Sequence, residues 1–147
     1  MGSKFRFHPA AIPLFTQAMK LKQSFPESIV RLHHNRLEWE GELQPSILSE
    51  KYQVRIEYLL GRRPTVTVYG GNLRKIDDPA LPHHFRVNPI RKQIEMCLHL
   101  PEEFNDRKLL VNTILPWASE WLLHYEVWLA TNEWYGGGVH PQIASQP

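Results

Sequence analysis

The chain has 147 residues, 42% of them apolar and 22% charged, and a formal net charge of +2. That length suits one domain with a proper core, so residues 1–147 are expected to form a single domain. The charge is too small and too dispersed to argue for a nucleic-acid or membrane partner, and no apolar run reads as a membrane span or signal peptide.

Residues 1–9 are basic and irregular and are expected to be flexible. From Pro13 to Phe25, Leu14, Phe15, Ala18, Met19 and Leu21 recur near helical spacing. The spacing predicts a helix with Lys20, Lys22 and Gln23 on its wet side, ended before Pro26. Residues 28–34 add a turn or lead directly into a strand. Leu37, Trp39, Gly41 and Leu43 then alternate with Glu38, Glu40 and Glu42. Tyr52, Val54, Ile56 and Tyr58 alternate with Gln53, Arg55 and Glu57. Both runs read as strands with one buried face. Glu38 and Glu40 are expected to pair across the strands with Arg55 and Lys51. Thr65 to Tyr69 is a third, β-branched strand after the turn at Gly61-Arg62-Arg63-Pro64. Together the three make an antiparallel meander.

Residues 72–90 carry Pro79, Pro82 and Pro89 and no periodicity, which predicts a long functional loop. Gln93 to Leu100 reads as one strand, with Ile94, Met96, Leu98 and Leu100 facing one way and Glu95, Cys97 and His99 the other. Asn105 or Asp106 is the expected N-cap of the next helix, and Pro116 is a kink or a helix start. Trp117, Trp121, Leu122, Tyr125, Trp128 and Leu129 form an aromatic stripe at helical spacing, most simply core. Gly136-Gly137-Gly138 is the expected helix stop, and 139–147 is expected to be flexible. Helix, meander, loop, last strand and helix make an α+β fold, its helices packed on an antiparallel sheet.

Cys97 is the only cysteine. That excludes an intramolecular disulfide framework and fits a reducing, cytoplasmic setting. A cysteine used as a small core group should share the apolar face, and this one is expected on the polar face beside His99. His83 and His84 lie upstream in the loop. A thiolate is a strong nucleophile and a good leaving group, and an imidazole can raise the thiolate share or deprotonate an attacking amine. His83 is the candidate positioning group or base. His99 is a candidate supporting residue. The same four side chains could ligate zinc, but Cys-x-His without a second cysteine is not a usual zinc pattern, and no cofactor or metal is expected.

Several segments, in order, resemble one family. They are Leu37-Glu38-Trp39-Glu40-Gly41-Glu42-Leu43-Gln44-Pro45, Tyr52-Gln53-Val54-Arg55-Ile56-Glu57-Tyr58, Leu81-Pro82-His83 and Cys97-Leu98. Further along come Leu115-Pro116-Trp117, Glu120-Trp121-Leu122, Tyr125-Glu126-Val127-Trp128-Leu129, and Trp134 with Gly136-Gly137-Gly138. The set resembles the E2-like, ubiquitin-conjugating-fold proteins of short type II CBASS antiphage operons, which are encoded beside a cGAS-like nucleotidyltransferase. The resemblance implies that Cys97 carries a protein C-terminal acyl group as a thioester and passes it to a lysine amine. It implies the nucleotidyltransferase's C-terminal glycine as donor, protein lysines as acceptors and room for a separate activating enzyme. Eukaryotic E2 enzymes place an Asn directly after His-Pro, proposed to hold the oxyanion. No His-Pro-Asn is present here, and Asn88, later in the loop, is the candidate in its place. The alternative is a non-catalytic E2-like module that docks a partner without a covalent bond.

Overall fold

The computed structural model describes residues 10–136. The two terminal stretches expected to be flexible, and Gly137 and Gly138, lie outside the described residues. The elements run α1 (Leu14–Ser24), β1 (Ile29–His33), β2 (Arg36–Leu43), β3 (Tyr52–Leu59), β4 (Thr65–Tyr69), β5 (His84–Asn88), β6 (Gln93–Met96) and α2 (Ile114–Thr131). Short 3₁₀ turns lie at Pro101–Glu103 and Leu110–Asn112. All six strands form one antiparallel sheet in the order β1-β2-β3-β4-β6-β5. This is the α+β arrangement of a ubiquitin-conjugating-like fold.

Alternation in β2 and β3 sends Leu37, Trp39, Leu43, Tyr52, Val54, Ile56 and Tyr58 into the core. Trp121, Leu122, Tyr125 and Trp128 of α2 join the same cluster. Glu126 fastens α2 to the β2–β3 loop. Its carboxylate accepts from the Ser49 hydroxyl at 2.7 Å, the Tyr52 hydroxyl at 2.8 Å and the Glu50 backbone N–H at 3.1 Å.

Helix α1 is rotated from the expected face. Phe15 and Met19 are exposed, while Gln17, Ala18 and Leu21 are buried. Gln17 governs the docking. Its amide donates to the Lys108 carbonyl and accepts from the Leu110 N–H, both at 2.9 Å, so a polar residue occupies an inward position at no hydrogen-bonding loss. The expected pairs also rearrange. Glu38 meets Arg36 at 3.1 Å and His33 at 3.7 Å, Lys51 meets Glu42 at 3.9 Å, and Arg55 lies over the Tyr69 ring.

Two strands extend the sheet beyond the expected meander. β1 adds to the β2 edge, and β5 folds out of the end of the long loop to pair with β6. The helix expected after Asn105 does not form there. Asn105 Oδ1 closes a local turn on the Arg107 N–H at 2.9 Å, and α2 begins only at Ile114. Pro116 falls in the first turn of α2, where its missing N–H has no intrahelical partner to lose. The helix stops at Asn132, in the left-handed region at φ 64°, before the glycines are reached.

Between β5 and β6, Asn88 faces Gln93 and Val87 faces Ile94, but His84 faces Met96. Phe85 and Arg86 therefore oppose Glu95 alone, a β-bulge with one extra residue on β5. This bulge sets how the loop meets the thiol.

Candidate active site

The strand carrying the thiol ends at Met96, one residue before Cys97. Alternation fails there. Met96 and Cys97 are both buried, and Cys97 has 0% exposure. The expectation that Cys97 lies on the polar face is therefore corrected. Once the chain leaves the ladder, side chains no longer alternate across it, and the thiol turns inward under α2. Its backbone N–H donates to the His83 carbonyl at 3.0 Å. The indole N–H of Trp121 reaches the same carbonyl at 2.8 Å. His83 has φ +53°, an uncommon backbone for a residue with a Cβ.

Cys97 is closed to solvent but lies against a cleft. Cys97 lines a small cleft of about 170 Å³ with Leu98, Trp117, Glu120, Trp121, His124, Trp134 and Gly136. After Asn132 the chain doubles back along α2. Trp134 then packs on His83, Trp121 and His124, with ring centroids 5.2, 5.3 and 5.8 Å apart. Gly136 passes so close that a Cβ there would lie 2.6 Å from His124 Cδ2 and 2.7 Å from the Trp134 indole nitrogen.

Burial pushes the Cys97 thiol above its ordinary value. The Arg63 charge and the His99 backbone N–H pull the other way, and Glu95 adds to the rise. Arg63 is held by Glu95 at 3.3 Å and by the Phe85 ring at 4.0 Å. The thiol form therefore dominates at neutral pH.

The candidate residues are brought together unequally. His83 adjoins the cleft through Trp134 and holds Cys97 by its main chain. His99 is buried against Trp117 and Phe104, at 5.3 and 5.9 Å, and its Nδ1 is 2.6 Å from the Leu100 carbonyl. Its ring lines a different groove, with Arg62, Arg63 and Asp106, so its link to the sulfur is its backbone N–H. Asn88 sits in the β5–β6 hairpin, where its side-chain oxygen accepts from the Arg91 N–H at 3.0 Å. The antiparallel register puts it at the opposite end of β6 from Cys97, roughly 13 Å along the strand at the usual rise. His84 lies on β5 opposite Met96 and does not line the cleft. Among the described residues no three His, Cys, Asp or Glu side chains converge to hold a metal ion.

Glu120 and His124 were not singled out by the sequence. They stand one turn apart on α2, beside the aromatic stripe, and polar residues there read as a solvated face. The usable signal was their offset from Trp117 and Trp121, which puts all four on adjoining positions of the helix.

A helix before and a helix after an antiparallel sheet, with one cysteine just past β6 under the second helix, define an E2-like protein. The chain belongs to the family described as Type II CBASS E2 protein, which matches residues 17–141. It is thus a CBASS-associated E2-like protein, a component that works with others of its system. No curated protein matches the chain significantly. Among the described residues no helix is long and apolar enough to cross a membrane.

Proposed function

We propose that the protein is a cysteine-dependent conjugating enzyme. Cys97 accepts the C-terminal acyl group of a protein as a thioester and transfers it to a lysine amine. A cGAS-like nucleotidyltransferase, through its C-terminal glycine, is the donor. The observation that supports this reading is the position of the sole thiol. It is fixed by its own backbone N–H, and its residue, though buried, lines a cleft that also holds a carboxylate and an imidazole. A thioester suits the task because it is activated toward amines and its thiolate leaves readily. The chain carries no glycine-rich phosphate loop leading into a helix, so the donor arrives already activated, from a separate enzyme or an activated partner.

Complete burial of Cys97 and its raised pKa favour a second reading, a docking module that makes no covalent bond. Intact mass under non-reducing conditions separates the two, after coexpression with a cGAS-like nucleotidyltransferase. The carrier predicts an adduct equal to both proteins less one water, cleaved by thiol and absent in Cys97→Ala. A noncovalent complex that is unchanged in Cys97→Ala, with no adduct when an activated donor is supplied, supports the docking module.

A further inference from the structure

The Cys97 cleft has titratable groups on two walls. Cys97 comes from the segment after β6, and Glu120 and His124 come from α2. The remaining walls are Leu98, three indoles and Gly136, and among the described residues no Lys or Arg lines the cleft. Glu133 and Tyr135 of the returning segment are exposed and do not line it. His83 lies behind Trp134. Glu120 is exposed at the rim, and His124 is half-buried, confined by Trp134 and by the close approach of Gly136.

One acidic group at an otherwise aromatic mouth suits a particular ligand. Indole faces accept methylenes and attract a cation. A carboxylate at the rim holds an ammonium. An imidazole on the same cleft as the thiol residue can accept a proton from that ammonium.

We propose that this cleft is the acceptor-amine site, with Glu120 as the residue that binds the lysine ammonium and His124 as the base that deprotonates it. The assignment rests on Cys97 being the acyl carrier. A ring nitrogen of His124 takes one proton from the ammonium. The freed nitrogen lone pair attacks the thioester carbonyl, the new C–N bond forms as the C–S bond breaks, and the sulfur leaves as thiolate. The amine's second proton is lost as the amide forms. One proton returns to the sulfur and the other passes to solvent, so ammonium and thioester give amide, thiol and one released proton.

The test separates charging from discharge. Wild type, Glu120→Gln, Glu120→Asp and His124→Gln are each charged by exchange with a synthetic peptide thioester ending in glycine, and the adduct is read by mass. Discharge to free lysine is then followed from about pH 6 to about pH 9. Wild-type discharge should rise with pH as the attacking amine is freed. His124→Gln should slow discharge roughly 100-fold at neutral pH, the lower end of general-base effects. Glu120→Gln should raise the lysine concentration for half-maximal rate about threefold with little change in the plateau, in keeping with an exposed charge pair, and Glu120→Asp should recover part of it. Hydroxylamine, which needs neither cation binding nor a base, should discharge all four equally. Wild-type rates and pH profile with lysine in both Gln variants would overturn the assignment. Should His124→Gln melt early, exposed Glu120→Gln still decides. Failure of Cys97 to take the acyl group in the first step overturns the carrier reading itself, and the acceptor site with it.

Discussion

The backbone N–H of Cys97 is bonded to the carbonyl of His83 at 3.0 Å, so the thiol residue and the loop before β5 are joined main chain to main chain. Trp121 makes the second bond to that carbonyl. Trp121→Phe keeps a ring and removes this donor. It should cost about 2 kcal/mol in urea unfolding, from one lost hydrogen bond and a smaller ring. Amide exchange should quicken at Cys97 more than at Ile94 within β6. Unchanged protection at Cys97 would show that the indole bond does not hold this junction.

Reactivity of the thiol depends on neighbours that act through charge. Arg63 lowers its pKa and Glu95 raises it, against the larger effect of burial. Alkylation of Cys97 by iodoacetamide should therefore have its pH midpoint above the ordinary thiol value of about 8.5. Arg63→Ala should slow alkylation at neutral pH about threefold, in keeping with the ~0.5–1 kcal/mol of a half-exposed charge pair. Glu95→Gln should accelerate it. A midpoint below 8 would contradict the dominance of burial.

Stability should fall on the alkaline side. Burial raises the Cys97 thiol and the Tyr52, Tyr58, Tyr69 and Tyr125 hydroxyls above their ordinary values. Above the unfolded pKa, about 8.5 for the thiol and 10 for the phenols, the unfolded chain has released protons that the native state still holds. Each contribution is complete below the unfolded value and is lost as pH rises through the native one. Urea midpoints should be level just below about pH 8.5 and decline beyond it. Cys97→Ala should remove the first part of that decline and leave the tyrosine part above about pH 10. A midpoint that climbs over this range would contradict the sign.

The segment after α2 lines the Cys97 cleft through Trp134 and Gly136. Gly136→Ala puts a Cβ 2.6 Å from His124 Cδ2, so a ring or the backbone must move. Trp134→Ala removes packing on His83, Trp121 and His124. Either change should speed alkylation of Cys97 by roughly fivefold, the factor given by ~1 kcal/mol of easier local opening. Equal rates in wild type and both variants would mean that access runs by another route.

Where a face is fully buried, the sequence was legible. Alternation in β2 and β3 and the aromatic stripe of α2 gave the core. The edge strands β1 and β5 were not legible as strands, because β1 is largely exposed, β5 has no fully buried residue, and neither alternates buried with exposed positions. The phase of Cys97 misled because periodicity holds only while the ladder lasts, and it stops at Met96. His99 looked like a side-chain participant, yet its ring turns to another groove and its peptide N–H serves the sulfur. Glu120 and His124 needed the third dimension, since nothing local says which polar residues of a helix overhang a thiol more than twenty positions earlier in the chain.

The bulge on β5 fixes how far this region can change in length. Opposite Glu95 the strand counts two residues to one, and that odd residue sets the phase in which the chain arrives at His84 and His83. Residues gained or lost within 77–80 would be absorbed by loop, whereas 73–76 is anchored by buried Leu73 and Ile76 and by the bonds of the Arg74 backbone to the Tyr125 hydroxyl. Deleting either Phe85 or Arg86 would leave His84 opposite Met96 but flatten the bend with which the chain reaches His83, the acceptor for the Cys97 N–H. Natural length variation among relatives should therefore crowd into the loop and spare the short stretch between His83 and Val87.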